Sequence, residues 1–123
     1  MTNVSASNNI ENPACERAVL AGLSQYGITC YVNICDILTD NCFSNTENQL
    51  IFRCMKTVLE KSEKVDIASI ISVAGQFSLA ETIQKEENIK YLRSLFNFPI
   101  LPENVKDNAV ILRKLEIARN GQK

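Results

Sequence analysis

The sequence contains no histidine and no tryptophan, and its 123 residues include only four glycines and three prolines. Without histidine, the usual base for a serine or cysteine nucleophile is missing, and a mixed cysteine–histidine zinc site is excluded. The glycines are isolated from one another, so the glycine-rich loop that surrounds nucleotide phosphates is missing as well. We therefore expect this chain to have no catalytic residues, no cofactor and no nucleotide site.

An excess of charge and a long apolar run are also missing. Thirteen basic and fourteen acidic residues give a net charge of −1, whereas binding to a polyanion requires a positive surplus. No apolar stretch approaches the roughly 20 residues that span a bilayer, and the start MTNVSASNNIEN lacks the features of a secretory signal. These absences predict a cytoplasmic protein with no membrane segment and no strong DNA binding.

Five cysteines are present, at positions 15, 30, 35, 42 and 54. None forms a CxxC pair, so we expect no metal site and interpret the cysteines as reduced packing residues. A small cysteine-dependent redox protein is the enzymatic alternative. Function that survives replacement of all five cysteines would exclude it.

Apolar residues recur at helical spacing along most of the chain. Asn12 is expected to cap a first helix that begins at Pro13, and Glu16 falls in its first turn, where it favours the helix dipole. Small residues on this helix, among them Gly22, allow another helix to approach closely, and Gly27 ends it. Further helices are predicted over 28–38, 46–61, 67–74, 79–85 and 87–96, with a last helix from about residue 103.

Local signals refine these helices. Over residues 28–38, two β-branched residues and Tyr31 would permit a strand, but the apolar positions 28, 31, 32, 35 and 38 keep helical spacing and favour a short helix. Phe43 is predicted to enter the core from a turn, Asp66 to cap the fourth helix, and Gly75 to end it. The fold class is all-α, a compact orthogonal bundle of about six helices. We expect a disordered leader over 1–11, a globular domain over 12–101 and a final helix over 102–123.

Two apolar groups are candidates for protein contacts. Aromatic and aliphatic residues gather near the proline-rich crossing FNFPILPEN, where they complete the core or form a partner-binding patch; they are Tyr91, Phe96, Phe98, Ile100 and Leu101. The last helix is apolar on more than one side, which indicates two partners, one of them another chain or a segment beyond this sequence. Its candidate self-association residues are Val110, Ile111, Leu115 and Ile117.

The order of these segments resembles the N-terminal domain of the replicative DNA helicases typified by DnaB. In that family a glutamate on the first helix precedes Val-Leu-Gly, and here NPACERAVLAGL has Glu16, Val19 and Leu20. Later family motifs resemble DNCFSNTENQLIFRCM, EKVDIASI, IKYLRSL and ENVKDNAVILRKLEIAR, in the same order. The tripeptides ENQ and EEN replace residues that are usual in the family, so the resemblance indicates a divergent member, such as one from a phage or mobile element.

The resemblance implies a helical domain that packs with its own copies as a collar on a hexameric helicase and receives a primase or a helicase loader. It also implies that the last helix is the first part of a helical hairpin, and that an ATPase motor would follow it. A stand-alone adaptor or decoy of the same fold, which binds a helicase ring, is the alternative. The reading frame would separate the two, because only the first continues into a phosphate-loop ATPase.

Overall fold

The computed structural model describes residues 11–121, and in this range the chain forms α-helices and one 3-10 turn but no strand. In chain order the helices are α1 Pro13–Tyr26, α2 Ile28–Ile34, α3 Thr46–Leu59, α4 Ile67–Gln76, α5 Ala80–Ile83, α6 Glu86–Asn97 and α7 Pro102–Gly121. The 3-10 turn, Asp40–Cys42, lies between α2 and α3. The predicted all-α fold is confirmed, whereas the predicted leader lies, except for Glu11, outside the described residues.

Two helices begin at the polar capping side chains that the sequence predicted. The Asn12 side chain accepts a hydrogen bond from the Cys15 amide at 3.1 Å, and the Asp66 side chain accepts one from the Ser69 amide at 2.7 Å. Each bond satisfies one of the amide groups that have no partner inside the helix. Both predicted caps are confirmed.

Helix α1 is the centre of the bundle, because it contacts α2, α3, α6 and α7. A Cβ atom added to Gly22 would lie 3.0 Å from Cγ1 of Val105 on α7 and closer still to its Cγ2. The close helix approach predicted from the small residues of α1 therefore occurs, and α7 is the helix that approaches. Gly27 ends α1 with a φ of +63°, a conformation that glycine adopts without strain.

The core is closed by side chains from the 3-10 turn and α3. Phe43 has no exposed surface, and its ring centre lies 4.8 Å from that of Phe52, so the predicted entry of Phe43 into the core is confirmed. The last helix adds Val105, Ala109 and Leu112 to the same core. The division of the chain into a globular part and a final helix stays a prediction.

Two details differ from the sequence predictions. The helix predicted over 28–38 ends at Ile34; its buried side chains are Cys30 and Ile34, while Val32 is 58% exposed. The turn at Gly27 restarts the helix at a new angle, and α2 has apolar residues on several sides, so spacing alone could not select the buried one. Helix α4 continues past Gly75 to Gln76, because the reversal of the chain follows at Ser78, which has a φ of +61°.

Candidate functional site

Four of the five predicted partner-binding residues line one surface depression of about 700 Å³. They are Phe96, Phe98, Ile100 and Leu101, and the amide side chains of Gln25, Asn97 and Asn104 complete the lining together with Pro99. None of the described residues that line the depression is charged. An apolar surface with amide groups at its edge is typical of the centre of a protein–protein interface.

The backbone beneath this depression is held by side chains at the end of α1. Gln25 Nε2 donates to the carbonyl oxygens of Leu95 and Phe98, at 2.9 and 2.6 Å. Tyr26 Oη donates to the Ile100 carbonyl at 2.6 Å. Since prolines at 99 and 102 further restrict the segment, its apolar side chains are presented by a backbone with little freedom to lose.

The fifth predicted residue, Tyr91, lies apart from the other four. It lines a separate polar pocket together with Pro13, Arg17, Asn48 and Asn88, among others. Burial raises the pKa of the Tyr91 hydroxyl above its ordinary value of 10.0. Its Oη donates to Asn48 Oδ1 at 2.7 Å, and the Arg17 guanidinium lies 5.7 Å from the ring centre.

Behind Tyr91 lies a buried carboxylate whose role the sequence analysis missed. Glu16 is only 1% exposed, and its oxygens accept from Asn48 Nδ2 at 2.8 Å, from the Ser44 amide at 2.9 Å and from the Ser44 hydroxyl at 2.7 Å. A longer bond of 3.4 Å comes from the Asn45 amide. Glu16 therefore joins α1 to the start of α3, in addition to lying in the first turn of α1. The sequence feature that could have indicated this role is the position of the glutamate between residues 15 and 19, which belong to the buried side of the helix.

The candidate self-association residues lie on both flanks of α7. Ile111 is 41% exposed and Ile117 is 55% exposed, whereas Val110 and Leu115 are half-buried. The side that faces the domain is a third one, formed by Val105, Ala109, Leu112 and Glu116. The sequence pattern did not reveal this side, because a small alanine and a glutamate occupy two of its four positions.

The end of α7 is fastened to the 3-10 turn. Glu116 is 8% exposed and accepts from Arg113 Nη1 at 2.7 Å and from Asn120 Nδ2 at 3.0 Å. The Cys42 thiol lies 3.6 Å from the same carboxylate, and Arg119 Nη2 donates to the Asn41 carbonyl at 2.7 Å. These bonds fix the direction in which α7 leaves the domain.

A groove of about 570 Å³ between α2 and the start of α7 was not anticipated. Its floor includes Cys30, Ile34 and Val105, and Lys64 and Lys106 are among its lining residues. No local sequence pattern indicated this groove, because its walls come from three separated segments. Among residues 11–121, no group of cysteine, aspartate and glutamate side chains is arranged to hold a metal ion.

The five thiols are free, and only Cys35 is exposed. Burial raises the pKa of the Cys30 and Cys54 thiols to about 11, which disfavours the reactive thiolate at neutral pH. Within the described part of the chain, no helix combines the length and the apolar character that a membrane crossing requires.

Comparison with known proteins finds a family model and solved structures to which this chain is similar. The family model described as the DnaB-like helicase N terminal domain matches residues 8–114. The crystal structure of the N-terminal domain of DnaB helicase from Mycobacterium tuberculosis is similar in fold, with a TM-score of 0.74 and 17% sequence identity over 89% of this chain and 73% of that one. No curated protein sequence matches the chain significantly.

Proposed function

The chain belongs to the family of DnaB-like helicase N-terminal domains, and on that premise we propose that it works by self-association and by docking a primase or a helicase loader. A domain of this family is non-catalytic by itself, and the catalytic part of such helicases is their C-terminal domain. The role proposed here is that of an assembly collar in DNA replication, which would place the protein in the cytoplasm.

The observation that carries the self-association is the exposure of large apolar side chains on α7. Ile111 and Ile117 lie on opposite flanks of its buried side and are 41% and 55% exposed. Isolated apolar side chains are common on protein surfaces, but here each has a half-buried apolar neighbour on the same flank, Leu115 or Val110. A collar in which each domain contacts two neighbours would cover both flanks.

Light scattering across a concentration series tests this part of the proposal. We expect dimers or larger rings to form as the concentration rises, and the double variant Ile111→Ser and Ile117→Ser to shift this association to at least about tenfold higher concentration, a loss of roughly 1.4 kcal/mol. Val32→Ser is the matched control, because Val32 is 58% exposed on α2. A strict monomer at every concentration, or an equal effect of the control, would contradict self-association through α7.

The depression beside α6 is the proposed docking surface for the primase or loader. Its apolar lining supplies the contact, and the hydrogen bonds from Gln25 and Tyr26 hold the backbone in place before binding. Pre-organisation of this kind raises affinity, because less conformational entropy is lost when the partner binds.

Titration with a purified primase, and separately with a purified loader, tests the docking surface. We expect Leu101→Ser to weaken binding by about tenfold, since its side chain is 57% exposed and lines the depression. Val32→Ser again serves as control, with nearly the same exposure on another helix. If both variants bind the partner as the parent does, the docking surface lies elsewhere; if Tyr91→Phe alone weakens binding, the polar pocket is the better candidate.

A further inference from the structure

The groove between α2 and the start of α7 has the form of a binding site that the proposed function does not use. Its volume of about 570 Å³ falls within the range of roughly 300–1,000 Å³ that is usual for ligand sites in proteins. Buried side chains form its floor, and Tyr26 and Pro102 add further apolar surface. An apolar group that entered the groove would be removed from water, which is favourable.

The walls of the groove are held by contacts within the domain. The Ile28 amide donates to the Glu63 carbonyl at 2.8 Å, which holds the connection between α3 and α4 against the start of α2. Tyr26 Oη holds the segment that leads into α7, and the close contact between Gly22 and Val105 fixes α7 itself. A preformed groove loses little conformational freedom when it binds, which favours affinity.

Two ammonium groups lie on separate walls of this groove. Lys64 belongs to the connection between α3 and α4, and Lys106 belongs to α7; both side chains are exposed and line the groove. Within residues 11–121, neither lysine forms an ion pair. Of the described lining residues only Glu103 is acidic, and it lies three positions before Lys106 on α7. The lining therefore keeps a positive surplus beside an apolar floor.

The rim of the groove is polar and open to solvent. Thr29 and Asn33 of α2 are exposed and belong to the lining. Asn33 Nδ2 donates to the Thr29 carbonyl at 3.1 Å, which leaves the Asn33 amide oxygen and the Thr29 hydroxyl for hydrogen bonds to the backbone of a bound peptide. An open rim of this kind admits a segment of a larger molecule.

We propose that this groove binds an acidic peptide segment of a partner protein, with one apolar side chain of the segment on the floor and its carboxylates beside Lys64 and Lys106. Complementary charge selects such a segment, because a basic one would meet the two ammonium groups. A segment without an apolar side chain would leave the floor uncovered. The groove is separate from the docking depression, whose described lining residues are uncharged, so this proposal does not depend on the proposed function.

Titration of the isotope-labelled chain with short peptides, followed by NMR, tests this chemistry. We expect the peptide GDDLDDG to shift the amide signals of Cys30, Ile34 and Val105. The controls are GKKLKKG, in which the charge is reversed, and GDDSDDG, which lacks the apolar side chain. Each control should bind at least about tenfold more weakly. If GDDLDDG does not bind up to about 1 mM, or if either control binds equally well, the proposal is wrong.

Reversing the charge of the groove should reverse this preference. We expect the double variant Lys64→Glu and Lys106→Glu to bind GKKLKKG more tightly than GDDLDDG. The matched control is Lys85→Glu with Lys90→Glu, which changes the net charge equally but lies at α6, outside the lining, and should keep the original preference. Glu103→Gln should tighten the binding of GDDLDDG by about two- to fivefold, because a carboxylate leaves the lining. A reversed preference in the control, or weaker binding by Glu103→Gln, would contradict recognition through these charges.

A bulky substitution at the rim tests where the peptide binds. Asn33→Trp should fill part of the groove and weaken the binding of GDDLDDG by at least about tenfold. Val32→Trp is the matched control, because Val32 is also exposed on α2 but does not line the groove. Circular dichroism would verify that both variants fold as the parent does. Equal binding by the two variants would place the peptide elsewhere and overturn the proposal.

Light scattering of the same two variants tests the other possible occupant. We expect both variants to self-associate as the parent does, since the proposed partner is a different protein. If Asn33→Trp abolishes a self-association that Val32→Trp keeps, a second copy of this chain fills the groove, and the proposal of an acidic partner segment is wrong.

Discussion

The contact between α1 and α7 should tolerate no added methyl group at Gly22. A Cβ at this position would lie 3.0 Å from Cγ1 of Val105 and closer still to Cγ2. Val105 is 1% exposed, and its β-branched side chain has few rotamers to adopt instead. Overpacking a core costs roughly 1–3 kcal/mol, and alanine returns about 1 kcal/mol through its better helix propensity. Because the contact is so short, we expect Gly22→Ala to lower the free energy of unfolding by about 2 kcal/mol.

The same contact predicts that the two substitutions are coupled. Val105→Ala alone removes two buried methyl groups and should cost about 2 kcal/mol. In that background the Cβ of Gly22→Ala enters the vacated space, so the second substitution becomes neutral or stabilising. We expect a coupling energy of about 2–3 kcal/mol between the two positions.

Urea unfolding of the four proteins, followed by circular dichroism, measures this coupling. Gly75→Ala is the matched control, because Gly75 lies within α4 and a Cβ there would meet nothing within 4 Å. It should raise stability by up to about 1 kcal/mol. If Gly22→Ala is as harmless as Gly75→Ala, or if the effects of Gly22→Ala and Val105→Ala simply add, the helices are not in the contact described.

Two further predictions concern buried groups. Glu16→Ala should lower the free energy of unfolding by about 3–5 kcal/mol, because it leaves the Ser44 amide and the Asn48 side chain without their acceptor. Glu16→Gln keeps one oxygen and should lower it by about 1–2 kcal/mol. Equal losses for the two variants in urea unfolding would contradict this role of Glu16. The pKa values of Cys30 and Cys54, raised by burial from 9.0 to about 11, predict that stability is full below about pH 9 and falls between about pH 9 and pH 11, since the unfolded thiols ionise first. Urea midpoints at about pH 8 and pH 10 should therefore differ, and removal of Cys30 and Cys54 should reduce the difference.

The sequence predicted the helices well where local chemistry determines them. Asn12, Pro13 and Asp66 mark helix starts through interactions within one turn, so their effects do not depend on the rest of the fold. The all-α class followed from the spacing of apolar residues, and the family resemblance from motifs in the right order. The family match confirms that resemblance.

Features that depend on distant residues were not predictable in this way. Glu16 is buried because Ser44 and Asn48, from another segment, supply its hydrogen bonds, and no local pattern announces such a partnership. Glu116 similarly faces the domain because Arg113, Asn120 and the 3-10 turn surround it. Patterns of apolar spacing count both glutamates as solvent-facing, and so they missed the buried side of α7. Tyr91 was grouped with Phe96 and Phe98 by its nearness in sequence, whereas it contacts Asn48 on α3.

The two buried glutamates explain why the candidate surfaces can be rigid in so small a domain. Glu16 ties α1 to the start of α3, and Asn48 extends this tie through Tyr91 to α6, the helix that leads into the docking depression. Glu116 ties the far end of α7 to the 3-10 turn, whose Asp40 in turn pairs with Arg53 and Lys56 of α3. Hydrogen bonds to a buried carboxylate are costly to break, because the charge would be left without a partner. The depression and the exposed flanks of α7 are therefore both anchored to α3, so a displacement of α3 would disturb these surfaces together.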